Sequence, residues 1–274
     1  SYSGHHWASP VYSAGGVPVS DLAHSLLDVR GLSKHFGGIY ALNDTTMAIR
    51  QGEVHALIGP NGAGKTTLIH VLSGALAADG GAVTFAGHDL LDHSMHRRVT
   101  LGLARSYQIT NIFSRLTVLD NLTMAVQSRT RDWGTSFSFW KPFSLEAGII
   151  EEARQLLADV SLGGLEGRIA GQLSHGEQRC LEVALALATK PSLLLLDEPM
   201  AGMGPEESER MVELIRALSR RLTILLVEHD MDAVFRLADR ISVLVGGRVI
   251  ATGLPDEIRA DAEVRRAYLG DEVA

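Results

Sequence analysis

Gly59-Pro60-Asn61-Gly62-Ala63-Gly64-Lys65-Thr66 restricts this chain more than any other segment. It satisfies G-x-x-x-x-G-K-[ST] and lies in the context that gives such a match meaning. Val54 to Ile58 before it is an apolar run of strand length, and Lys65 to Leu72 after it follows helical spacing. A strand, a glycine-rich turn and a helix N-terminus together make an anion cradle, because backbone amides turn inward and the helix end adds a favourable field. Lys65 then supplies a charge to the β- and γ-phosphates of a nucleotide. The Thr66 hydroxyl is placed to ligate Mg²⁺, and Thr67 continues the first helical turn at the phosphates.

The other elements set the fold class. Leu26 to Arg30 and Thr45 to Arg50 read as short strands, Glu146 to Val160 and Glu177 to Thr189 as amphipathic helices. Ser192 to Leu196 and Leu222 to Val227 are apolar runs of the length of buried parallel strands. Pro205 opens a helix to Arg220, Met231 to Ala238 is another, and Gly246-Gly247 joins the strands Ile241 to Val245 and Arg248 to Thr252. Alternating strands and helices predict an α/β fold with a mainly parallel sheet core, and the early hairpin-like strands predict a small antiparallel β addition.

Leu193-Leu194-Leu195-Leu196-Asp197-Glu198 supplies the second half of a site. A buried strand ending in an acid places Asp197 beside the Mg²⁺, through water, and points Glu198 at the γ-phosphate, where a carboxylate polarises the attacking water. Net charge is −7, so nothing points to a nucleic-acid surface, which normally needs a basic face, and no nucleic-acid partner is expected. No run of about 18 apolar residues occurs, so membrane spanning falls to a partner. The single cysteine, Cys180, fits a reducing compartment.

Leu173-Ser174-His175-Gly176-Glu177-Gln178 narrows the class. It resembles the signature of ABC ATPases, usually Leu-Ser-Gly-Gly-Gln, with His175 for the first Gly and Glu177 for Gln. The resemblance implies that Ser174 and Gly176 cap the γ-phosphate of ATP on an opposite subunit, so that two chains bury two ATPs. The same residues also fit a capping box, and both roles are compatible. By the same resemblance Gln108 reaches the Mg²⁺ and water and connects to the membrane subunit. His229 is the switch histidine at the γ-phosphate, and Phe36 stacks on adenine. Ala201-Gly202-Met203-Gly204 stands where the family has an interface loop ending in Asp or Asn, and Gly204 lacks that side chain.

Composition without helical or strand period sets off an arm (1–25), and the resemblance, to a fold of P-loop ABC ATPases, divides the rest into an α/β ATP-binding core (26–107 and 179–253), a helical signature subdomain (108–178) and a C-terminal helix (254–274). The arm reads as mostly disordered, with His5 and His6 solvated rather than metal-bound. Within the family, 104–108, 113–122, 175–179, 227–231 and 267–270 are similar to the ATPases of branched-chain amino-acid uptake and their urea and amide relatives. Lipopolysaccharide-export ATPases share the ending but lack the insertion at 127–145. That insertion carries Trp133, Phe137, Phe139, Trp140 and Phe143, which pin a loop to the helical lobe or touch the membrane partner, the first being favoured. A soluble DNA-repair ATPase is disfavoured by the lack of a heptad run, a translation ATPase by the single cassette. The implied partners are a second ATPase subunit, transmembrane permease subunits and, indirectly, a periplasmic solute-binding protein. The implied location is the cytoplasmic face of the inner membrane.

Overall fold

The computed structural model describes residues 25–106, 112–130 and 143–269. Two sheets share these residues. Strands β1 (Ser25–Phe36), β2 (Ile39–Arg50), β4 (Gly80–Phe85) and β5 (His88–Asp89) form an antiparallel sheet in the order β2-β1-β4-β5. Strands β3 (Val54–Ile58), β6 (Leu103–Arg105), β7 (Leu193–Asp197), β8 (Thr223–Val227), β9 (Arg240–Val245) and β10 (Arg248–Gly253) form the other, in the order β10-β9-β3-β8-β7-β6. Every neighbouring pair in it is parallel except the β9–β10 hairpin. The expected parallel core with an antiparallel addition is what the chain builds.

The helices are α1 (Lys65–Ser73), α2 (Met95–Thr100), α3 (Val118–Thr130), α4 (Phe143–Asp159), α5 (His175–Leu187), α6 (Pro205–Ser219), α7 (Met231–Leu237), α8 (Pro255–Ala260) and α9 (Ala262–Val264). The leucine run of β7 shows why a parallel strand is apolar throughout. Its period of two sends Leu193 and Leu195 to a core shared with α1 and the antiparallel sheet, while Leu194 and Leu196 face a core built from α3, α4, α5 and α6. All four are fully buried, and each contributes about 1.5–3 kcal/mol by leaving water. A third core gathers Ala56, Ile58, Val234, Ile241, Val243, Ile258 and Val264 around β9.

Three differences from the expected elements have physical causes. Strands β1 and β2 run to 12 residues each, longer than expected, because their outer halves, in which only Leu32 and Leu42 are buried and no apolar alternation is sustained, still pair as far as Phe36 with Ile39. Strand β4 opens on Gly80-Gly81, a signal for a turn, and is held by pairing with β1. The expected single C-terminal helix is α8, then α9, then a π-helical turn at Arg265–Leu269. The arm with His5 and His6, the insertion residues Trp133, Phe137, Phe139 and Trp140, and Gly270 lie outside the described residues, as does the Phe143 side chain.

Candidate functional site

Strands β3, β7 and β8 end side by side, so their C-terminal ends deliver three segments to one edge of the sheet. After β3 comes the cradle. Gly59 has φ 155° and Gly64 φ 107°. A Cβ at Gly59 would lie 2.0 Å from the Leu244 carbonyl oxygen, and one at Gly64 would lie 2.3 Å from that of Ala41, so only glycine fits either place. Ala63 accepts a hydrogen bond from the Gly247 N–H at 2.9 Å, while Gly247 accepts from Asn43 N at 2.9 Å and from the Thr45 hydroxyl at 2.6 Å. The β9–β10 turn thus ties the cradle to β2.

Lys65, buried at the start of α1, donates to the carbonyls of Gly59 at 2.6 Å and Pro60 at 3.0 Å. Burial lowers its ammonium pKa, against the opposing pull of Glu198 and Asp197. Asn61, Gly62 and Thr66 are exposed, and Thr67 is half-buried. Phe36, at the tip of the β1–β2 ribbon, is 53% exposed, with the Lys34 ammonium 5.5 Å from its ring centre. The contact of Gly64 with Ala41 sets that ribbon beside the cradle.

After β7, Asp197 is not solitary. Its Oδ2 accepts from Arg105 at 2.9 Å, with both side chains largely buried. Glu198 has φ 49°, a strained value for a residue with a Cβ. Its Oε1 meets His229 Nε2 at 2.6 Å, and its N–H is held by Val227 O at 2.8 Å. The structure therefore joins two residues that are 31 positions apart in the sequence.

Ser174 is engaged within its own chain, and Gly176 is buried in the first turn of α5. Ser174 caps α5 by accepting from Glu177 N at 3.2 Å, and the Glu177 carboxylate accepts from Ser174 N at 2.7 Å, the expected capping box. The Ser174 hydroxyl also donates to Glu207 at 3.3 Å. His175 Nε2 lies 3.1 Å from Ala201 O, so the substituted signature position touches the loop after the acid pair. Gln108 lies outside the described residues.

Two buried charges of this edge escaped the sequence reading. Arg105 sits in 104–108, a segment read only for Gln108. Glu228 adjoins His229 and was passed over as part of a strand end. Glu228 accepts from Met200 N at 2.9 Å and His229 N at 3.0 Å. Burial raises its carboxyl pKa, and those N–H groups work against the rise.

Known proteins resemble this chain over most of its length. The family described as "ABC transporter" matches residues 42–201, and that described as "Branched-chain amino acid ATP-binding cassette transporter" matches 248–274. The chain is 35% identical to the high-affinity branched-chain amino acid transport ATP-binding protein BraF of Pseudomonas aeruginosa, covering 91% of this chain and 100% of that protein. It is 36% identical to LivG of Escherichia coli, a protein of the same description, with the same coverage. Among solved structures, a nucleotide-free ATP-binding cassette from an ABC transporter matches with TM-score 0.77 at 30% identity, over 90% of this chain and 100% of that one. The ADP conformation of such a cassette matches equally, at TM-score 0.77 and 30% identity, over 90% and 99%.

Proposed function

The chain belongs to the ABC transporter family of ATP-binding subunits and is an ATPase of that family, and we propose that it powers uptake of branched-chain amino acids or related small solutes through membrane permease subunits. The observation that carries the hydrolytic reading is the 2.6 Å contact between Glu198 and His229 at the edge where the cradle and Asp197 also end. Likeness to BraF and LivG over nearly the whole chain, together with the match at 248–274, supports the solute class. No helix among the described residues is long and apolar enough to cross a membrane, which leaves the pathway to partner subunits.

The chemistry follows from what these side chains can do. The cradle N–H groups and α1's N-terminus bind the phosphates, and Lys65 exchanges two neutral carbonyls for phosphate oxygens, a charge-assisted contact. A hydroxyl and one carboxylate, Thr66 and Asp197, suit Mg²⁺, which keeps phosphate oxygens and water as most of its ligands. When bound, Mg²⁺ neutralises charge on the β- and γ-phosphates. Glu198 accepts the proton of the attacking water, and His229 orients that carboxylate and faces the γ-phosphate. Phe36 offers its exposed face to adenine. Ser174 and Gly176 close over the ATP of a second copy or a homologous subunit, which requires the Ser174 hydroxyl to leave Glu207.

Replacing Glu198 by Gln tests this reading. The base is lost while its size is kept, a cost of about 10²–10⁴ in rate, so ATP survives and holds two subunits together. Light scattering is expected to show a dimer with ATP and a monomer with ADP, and Ser174→Arg in the same background to abolish the dimer. An ATP-stable dimer indifferent to Ser174→Arg would overturn the head-to-tail arrangement.

A further inference from the structure

Glu198 and His229 meet only if two separate turns keep a fixed spacing. The turn after β7 carries Glu198 in a left-handed conformation that a side chain resists, so neighbouring contacts must hold it. The turn after β8 carries His229 and then α7, capped by Asp230, whose Oδ1 accepts from Ala233 N at 3.1 Å. Glu228 lies between these turns, 3% exposed. Its two oxygens are committed to different donors, Oε1 to Met200 N at 2.9 Å and Oε2 to His229 N at 3.0 Å. Met200 is two residues past Glu198. One buried carboxylate thus grips the backbone on both sides of the Glu198–His229 contact.

We infer that Glu228 is a positioning residue for ATP hydrolysis, locking the turn that carries Glu198 to the turn that carries His229 so that the two side chains meet. This rests on the roles proposed above for Glu198 and His229. The carboxylate is suited to the task because it is acceptor-only at both oxygens. An amide of the same shape is not: it must turn an N–H₂ group towards one of two backbone donors, leaving a buried N–H unpaired and pushing one turn away.

Glu228→Gln in the full-length chain is the test, read by ATPase kinetics, Mg·ATP titration and thermal melting. ATP affinity and KM are expected to stay near wild type, since the carboxylate bonds no residue of the cradle. The kcat is expected to fall roughly 10- to 100-fold, the scale of a catalytic group displaced by up to about 1 Å. A residue acting through His229 has little left to lose once His229 is gone, so in a His229→Ala background Glu228→Gln is expected to cost less than about threefold. An unchanged kcat overturns the inference. So does a parallel fall in affinity, melting temperature and kcat, or a full loss that persists in the His229→Ala background. Should Glu228→Gln fail to fold, Glu228→Asp carries the same expectations, since its shorter stem keeps the adjacent His229 N–H and gives up Met200. Wild-type rates for both Glu198→Gln and His229→Ala would remove the hydrolytic reading itself. Slow rates for those two with a wild-type Glu228→Gln would remove only this inference.

Discussion

Arg105→Met isolates the charge that faces Asp197. The two groups are 2.9 Å apart, with side chains only 6% and 13% exposed, so removing the guanidinium leaves a carboxylate in a poor solvent. Breaking a buried pair from one side costs about 3–5 kcal/mol, and the lower end applies here because Asp197 keeps some contact with water and with the field of Lys65. Without nucleotide, the variant is expected to unfold about 3 kcal/mol more easily in urea. If Asp197 faces Mg²⁺, the metal restores the missing charge, and a loss of about 1.5 kcal/mol with Mg²⁺ and a non-hydrolysable ATP analogue is expected. Linkage converts the difference of about 1.5 kcal/mol into roughly tenfold tighter binding of the Mg²⁺ complex, with no such gain for metal-free nucleotide. Urea unfolding with and without ligand, and titration in Mg²⁺ or EDTA, measure both sides of this cycle. Equal destabilisation in all conditions, with unchanged Mg²⁺ dependence, would refute the placement of Asp197 at the metal. Weaker Mg·ATP binding with normal stability would instead make Arg105 a cation that faces the ligand.

Three other substitutions probe the cradle and a buried carboxylate. Gly64→Ala adds a Cβ 2.3 Å from the Ala41 oxygen at φ 107°, whereas Gly62→Ala meets nothing within 4 Å and bears only its φ of 78°. Denaturant melts are expected to show a loss of about 1–2 kcal/mol for Gly62→Ala and about 2–5 kcal/mol for Gly64→Ala; the reverse order would contradict the cradle's shape. Glu53 supplies a pH prediction. Burial pushes its carboxyl up, but the bond to His55, the Arg50 N–H and the charge of Arg240 outweigh burial and hold it below its ordinary value. Its contribution is therefore present above the unfolded value near pH 4.3–4.5 and is lost as pH falls through the folded one. Glu53→Gln is expected to lower stability at pH 7 and flatten the acid limb of a pH-stability curve, and an acid limb identical to wild type would count against it.

The site is legible in the sequence where its parts are contiguous. Gly59 to Thr66 declares its own context, and the run from Leu193 to Asp197 can only be a strand buried on both faces. His229 needed the family pattern, since nothing local says that its ring will find Glu198. Arg105 and Glu228 were missed for a plainer reason: each looks like a charge at a strand end, and what distinguishes it is the partner brought by the fold, Asp197 in one case and Met200 N–H in the other. The outer halves of β1 and β2 were equally silent, because they bury only Leu32 and Leu42 and so sustain no apolar alternation.

The clamp at Gly247 also has a consequence in time. Strand β3, which carries the cradle, pairs with β8 and β9 and with no strand made before residue 223. The contacts of Gly247 with Ala63, Asn43 and Thr45 come later still. At roughly 5–20 residues per second, a ribosome needs about 10–40 s to travel from the end of β3 to that turn. Until β8 is made at residues 223–227 the nascent chain holds an apolar strand with both edges unpaired, and the glycine loop, although Ala41 already exists, lacks its contacts with Leu244 and Gly247. The antiparallel sheet can pair within itself by Asp89, whereas β3 depends on whatever shields an unpaired strand until β8 and β9 emerge.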